Sequence, residues 1–214
     1  MKSDELQMLG WCEFQAIGIV SLNKEILDIA KQLGSPVNLR DSIGPVQQLV
    51  PTEKTRFKNS LSSKYKKGEF PLHTDTAHWP IPCRYVVLGC LKQGESQRET
   101  NLVDFRGMQI SEEERLLMMT EPFKIVNGRK SFYGTILAEN RPFIRYDPGC
   151  MAPTSSRGEI ALSVLSSSRT EYLKIPIDWI EGKIVVIDNW RVIHGRGTGV
   201  GHGSERTILR VLVS

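Results

Sequence analysis

Apolar and polar positions follow two rhythms along this chain, one belonging to helices and one to strands. From Leu22 to Leu33 (LNKEILDIAKQL) the apolar residues fall at helical spacing, and Gly34-Ser35-Pro36 stops the run. Residues 37–67 are polar with scattered apolar positions and predict loop with short strands. Tyr85–Leu91 (YVVLGCL) reads as a buried strand, and Thr100–Phe105 as another. Ser111-Glu112-Glu113-Glu114 has the form of a capping box, so a helix opens there and continues through Arg115–Met119. Short strands are predicted over Phe123–Val126, Thr135–Ala138 and Pro142–Tyr146, and a short helix over Ile160–Leu165. Lys183–Ile187 (KIVVI) is the clearest strand and delivers Asp188-Asn189-Trp190 into a turn; Thr207–Val213 is the last strand. With no repeat or low-complexity tract, many short strands and few helices predict a mainly β (α+β) fold.

Composition narrows the class. A chain of 214 residues fits one domain spanning 1–214, with 40% apolar and 24% charged residues as in soluble globular proteins. The charged start, Met1-Lys2-Ser3-Asp4-Glu5, leads into no long apolar stretch, so neither a secretory signal nor a membrane anchor is expected. Cys12, Cys83, Cys90 and Cys150 lack any Cys-x-x-Cys spacing and read as reduced thiols of a cytoplasmic protein. The net charge of +4 is concentrated in Lys54, Arg56, Lys58, Lys64, Lys66 and Lys67. That stretch reads as a solvated loop or as an electropositive rim and lid over residues 54–67. With Phe57 and Tyr65 as its aromatics, it argues against a nucleic-acid groove. Glycines at 195, 197, 199, 201 and 203 match no phosphate-loop pattern and read as a turn between strands, with His202 solvated within it.

The candidate chemistry lies in His73-Thr74-Asp75 and the distant His194. In an extended strand residues i and i+2 share a face, so His73 and Asp75 reach one metal together, and a sheet brings His194 from a separate strand. Two imidazoles and a carboxylate form the facial triad of a non-haem Fe(II) oxygenase, which leaves three coordination positions for chemistry. Arg206, twelve residues after His194, suits the far carboxylate of a bidentate co-substrate. Ligands drawn from separated strands fit a double-stranded β-helix (jelly roll) core. His78 is a possible neighbour of the site.

The segments FPLHTDTAHW, IVVIDNWRVIHGR and ERTILRVLV resemble the taurine dioxygenase and clavaminate synthase group of Fe(II)/2-oxoglutarate-dependent oxygenases. The resemblance runs from about Leu22 to the C-terminus. It implies His73, Asp75 and His194 as iron ligands, Arg206 and Thr100 as contacts of 2-oxoglutarate, and Arg210 as a contact of co-substrate or substrate. It also implies O2 as the oxidant. Where the family often has a Gly-rich turn before the Thr, this chain has Glu95-Ser96-Gln97-Arg98-Glu99. Asp75 stands where halogenating relatives need an open position, which favours hydroxylation, desaturation or cyclisation. Trp79, Arg84, Arg145, Asp147 and Arg210 are the substrate-pocket candidates. An Arg for a carboxylate and an Asp for an amine suit a small amino acid or natural-product intermediate, while Arg145 and Asp147 could equally pair with each other at the surface. Three alternatives stay open: a non-catalytic jelly-roll module, a Lewis-acid metalloenzyme, and a nucleic-acid demethylase of the same iron class.

Overall fold

The computed structural model describes residues 3–38, 44–51, 64–138, 141–199 and 204–214. The chain opens with helix α1 (Ser3–Leu9), strand β1 (Trp11–Gln15) and helix α2 (Leu22–Leu33). Leu22, Ile26 and Ala30 recur every fourth residue and are buried, which gives α2 one apolar face, and the Gly34 N–H closes it on the Ala30 carbonyl. Strands β2 (Pro36–Val37), β3 (Val46–Leu49), β4 (Phe70–His73), β5 (Tyr85–Lys92) and β6 (Thr100–Asp104) follow. Helix α3 (Glu112–Thr120) begins with both hydrogen bonds of the Ser111–Glu114 capping box. Beyond it come β7 (Phe123–Asn127), β8 (Lys130–Gly134), β9 (Leu137–Ala138), β10 (Arg141–Ile144) and β11 (Met151–Pro153). Helices α4 (Ser156–Ser163) and α5 (Ser167–Thr170) precede β12 (Ile175–Ile177), β13 (Lys183–Asp188), β14 (Val192–Arg196) and β15 (Thr207–Val213).

Two antiparallel sheets position the candidate residues. The larger runs β1-β13-β5-β15-β2, with β3 also paired to β15, and the smaller runs β12-β6-β14-β4. Strand alternation sorts the side chains into layers. Val86, Leu88, Val185, Ile187, Ile208 and Leu212 of the large sheet share one core with Leu102, Ile177 and Val192 of the small one. The opposite faces of the same strands carry Val87, Ile184, Val186, Leu209 and Val211 onto Leu6, Leu22, Ile26 and Ala30. The outer face of the small sheet buries Leu72, Val103 and Ile193 beneath Leu117, Met118 and Ala161. Among the described residues, no helix is long and apolar enough to cross a membrane.

Several elements depart from the sequence pattern. Helix α1 and strand β1 were not signalled: α1 buries Leu6 alone among its residues, too little for a periodic stripe. The hairpin β7–β8 turns at Gly128-Arg129, where Gly128 takes φ +60°, so an unexpected strand lies at 130–134, and the strand expected over 135–138 is present as the shorter β9. Helix α4 starts at Ser156 because the Ser155 hydroxyl caps it by accepting the Gly158 N–H. Most of the basic stretch, including Lys54, Arg56 and Lys58, lies outside the described residues, as does His202.

Gly89 of β5 faces α2, and a Cβ there would stand 2.8 Å from Ile26 Cγ2. Ile26 is fully buried, and Ile26→Ala is expected to cost about 2–5 kcal/mol in urea denaturation. Val20→Ala, at an exposed position, is expected to change stability by less than about 0.5 kcal/mol.

Candidate metal centre

Strands β4 and β14 are antiparallel neighbours, and their register sets His73 directly opposite His194. The two rings lie 4.7 Å apart between centroids. Asp75 joins them by a route other than strand alternation. Strand β4 ends at His73, and Asp75 stands in the turn that follows. The chain is drawn off the sheet because the Thr74 N–H donates to the Tyr146 carbonyl (2.6 Å) and its hydroxyl donates to the Ile144 carbonyl (3.1 Å). The side-chain amide of Asn189 then brackets Asp75. Its Oδ1 accepts the Asp75 N–H at 2.8 Å, and its Nδ2 donates to the Asp75 carbonyl at 3.1 Å and the Cys83 carbonyl at 2.8 Å. The sequence placed Asn189 in a turn and gave it no role; its place in the DNWRVIH segment was the available signal.

One potential ligand atom from each of His73, Asp75 and His194 lies within 4.8 Å of the others, and all three residues are buried. His73 Nδ1 is 3.0 Å from the Pro71 carbonyl, which makes it the protonated nitrogen and leaves the Nε2 lone pair facing Asp75 Oδ1 at 4.0 Å. His194 Nε2 lies 3.5 Å from Asp75 Oδ2, an oxygen that is buried and has no hydrogen-bond partner among the described residues. Burial pushes the Asp75 carboxyl up, but Arg210 and the two imidazoles overcome this and hold it far below the usual carboxylate range. Burial and then His194 lower the His73 pKa, so its ring is neutral at physiological pH. Two imidazoles facing a buried carboxylate suit a divalent cation of the first transition row. Cys83 is no competing ligand: burial pushes its thiol up to about 12, so it supplies no thiolate.

Arg210 donates from Nη1 to Asp75 Oδ1 at 2.7 Å and from Nη2 to Gln47 Oε1 at 2.8 Å, which brings in Gln47 of β3, a residue the sequence did not single out. Arg206 is buried near the start of β15. Its Nη2 donates to Thr100 Oγ1 at 3.1 Å, its Nη1 donates to the Arg98 carbonyl, and its guanidinium stacks 5.7 Å from the Trp179 ring centre. Trp179 Nε1 also donates to Thr100 Oγ1, at 2.9 Å, and no local spacing links these two residues in the sequence. Burial, then Arg196, lowers the Arg206 pKa to about 10, so the guanidinium stays charged at neutral pH. Gly94 (φ +70°) makes room for this segment, since a Cβ there would fall 2.6 Å from the Arg206 backbone nitrogen. Gln97, in the turn where relatives often carry Gly, itself has positive φ (45°).

The substrate candidates separate by their contacts. Asp147 is buried, accepts the Gly149 N–H at 2.7 Å, and its charge acts on His73. Arg145 is buried too, and it does not pair with Asp147 at the surface. Its guanidinium donates to the Ala77, Trp79 and Pro80 carbonyls, which holds the loop beyond Asp75. Arg84 pairs with Asp188 (3.1 Å) and lies 4.6 Å over Trp190. Trp79 is half-buried, and its ring meets the edge of His78 at 6.2 Å. A groove of about 460 Å³ is lined partly by Leu72, Asn101 and Gly195, each next in sequence to a residue facing the inter-sheet space. Its Lys174 and Arg196 are engaged by Glu171 and by the Gly68 carbonyl.

No protein-family model matches the sequence. The chain is 24% identical to clavaminate synthase 2 of Streptomyces clavuligerus in an alignment 155 positions long that covers 64% of this chain and 46% of that protein; it spans less than half the length of this curated relative. Its fold is that of solved oxygenases. Asparagine oxygenase in complex with Fe(II), 3-hydroxyasparagine and succinate superimposes with a TM-score of 0.78 at 16% identity, covering 95% of this chain and 74% of that one. The non-haem iron oxygenase OrfP in complex with Fe and alpha-ketoglutaric acid gives 0.76 at 18% identity, covering 98% and 77%.

Two expectations follow from the geometry. Anaerobic Fe(II) at about 100 times its Kd is expected to stabilise the protein by about 2.7 kcal/mol in thermal unfolding, and His73→Ala and His194→Ala are expected to lose that gain. In the metal-free protein the unfolded His73 imidazole takes up a proton at its ordinary 6.5, before the folded one does. Stability should therefore fall as the pH drops below about 6.5, and His73→Leu should flatten that slope in pH-dependent unfolding.

Proposed function

We propose that this chain is an Fe(II)- and 2-oxoglutarate-dependent oxygenase that hydroxylates, desaturates or cyclises a small carboxylate-bearing metabolite, an amino acid or an amino-acid-derived intermediate. The observation that carries the reading is the convergence of His73, Asp75 and His194, with one carboxylate oxygen buried and without a hydrogen-bond partner among the described residues. The two facing sheets are then the halves of a double-stranded β-helix, and residues 1–214 form one catalytic domain. Cys83, Cys90 and Cys150, free thiols, fit a cytoplasmic setting.

In this reading His73, Asp75 and His194 hold Fe(II), which when bound supplies the redox chemistry that couples oxidative decarboxylation of 2-oxoglutarate to oxidation of a C–H bond. Arg206 and Thr100 receive the distal carboxylate of 2-oxoglutarate. The guanidinium offers a planar, permanently charged donor pair, and the Trp179 ring and the Arg98 carbonyl limit its movement. Arg210 neutralises Asp75 on one side and presents a cation to a carboxylate entering the site, while Asp147 attracts a substrate amine or other cation. Trp79 forms a wall. Arg145 and Arg84 act by fixing the loop and turn around the site, since their guanidinium groups are committed to backbone carbonyls and to Asp188. Burial of the triad excludes water from the reacting centre. The partners in the solved relatives, 3-hydroxyasparagine with asparagine oxygenase and 3-hydroxyarginine with OrfP, support an amino acid as the substrate class.

Aerobic turnover with Fe(II), ascorbate and 2-oxoglutarate against a pool of amino acids tests the proposal. The expected result is succinate together with a product heavier by one oxygen or lighter by two hydrogens, both absent with His73→Ala. Arg206→Gln is expected to raise the KM for 2-oxoglutarate by about 30-fold or more, the effect of losing about 2 kcal/mol of a buried charged contact. Unchanged succinate formation in His73→Ala would contradict the reading.

A further inference from the structure

We infer that Asn189 is the positioning residue of the metal site, setting the place of the Asp75 carboxylate through the peptide groups on either side of it. This rests on the reading of His73, Asp75 and His194 as metal ligands. Those ligands are not held alike. His73 and His194 lie on paired strands, where the ladder fixes their backbones. Asp75 lies past the end of β4, so no strand register places it.

Asn189 takes over that task. It is fully buried, and its carboxamide both accepts from the Asp75 N–H (2.8 Å) and donates to the Asp75 carbonyl (3.1 Å), closing a two-bond ring with a single residue's backbone. Its third bond, to the Cys83 carbonyl at 2.8 Å, ties the far end of the same loop to the same amide. The next residue, Thr76, is β-branched and has φ +57°, a backbone state that persists only where surrounding contacts impose it. Its hydroxyl oxygen accepts the Cys83 N–H at 2.8 Å, so residues 75 and 76 are both closed onto Cys83. Asn189 belongs to the turn between β13 and β14, five residues before His194. One turn therefore carries a ligand-bearing strand and also holds the remaining ligand in register with it. An Asp at this position would keep the shape and lose the two donated bonds, setting a carboxylate against two carbonyl oxygens.

The test is Ni(II) affinity of the metal-free protein by calorimetry. Ni(II) stands high enough in the affinity order that weakened sites still bind measurably. Asn189→Ala and the isosteric Asn189→Asp are expected to weaken Ni(II) binding about 10–100-fold while circular dichroism shows a folded chain, the size of loss typical when support for a ligand is removed. The Asp75→Ala background isolates the route: there Asn189→Ala should change the affinity by less than about twofold, because the group it positions is gone. A merely structural Asn189 would lower the melting temperature and leave Ni(II) affinity within about twofold of wild type, and that result would overturn the inference. An undiminished loss in the Asp75→Ala background would overturn it as well. Should Asn189→Ala not fold, Asn189→Asp alone decides the matter. Failure of the wild-type chain to bind Ni(II) would instead remove the metal-site reading itself.

Discussion

The burial of the Asp75 carboxylate is the constraint around which the site is organised. A carboxylate taken out of water is costly unless opposite charge and hydrogen bonds meet it, and here the compensation comes from several elements. Arg210 of β15 reaches one oxygen, while the other faces His194 of β14 and has no hydrogen-bond donor among the described residues. Gln47 of β3 in turn accepts from Arg210. The large sheet thus supplies the countercharge and the small sheet supplies the imidazoles. The candidate triad and its countercharge come together only where the two sheets pack face to face.

The same packing explains the second cation. Arg206 precedes the strand that carries Arg210, four residues away, yet the two guanidinium groups have different partners. Arg210 is satisfied by charge, whereas Arg206 is held by a hydroxyl, a carbonyl and an indole face, with burial lowering its pKa to about 10. The proposed co-substrate offers Arg206 a carboxylate of suitable charge.

Much of this was legible in the sequence. The four-residue spacing of Leu22, Ile26 and Ala30 located α2, and the Ser111–Glu114 box located the start of α3, because local hydrogen bonds and one apolar face determine those elements. The candidate ligands were also visible, since His73, Asp75 and His194 carry chemistry that few other residues can. What escaped was whatever depends on contacts distant in sequence. Asn189 meets Asp75 across 114 positions and Trp179 meets Thr100 across 79, with no periodicity to announce either. The strand-alternation argument for Asp75 reached a sound grouping by the wrong route, because period-two geometry ends with the strand and a long-range amide takes over. Arg145 shows the converse error, in which a cation near the site invites a ligand role although three backbone carbonyls already engage it.

Anomalous diffraction at the iron edge, from crystals grown anaerobically with Fe(II) and 2-oxoglutarate, tests the central claim most directly. The account predicts one iron peak within coordination reach of His73, His194 and an Asp75 oxygen together. It also predicts co-substrate density whose distal carboxylate meets Arg206 and Thr100. An iron peak away from the triad, or a distal carboxylate held by another cation, would contradict it.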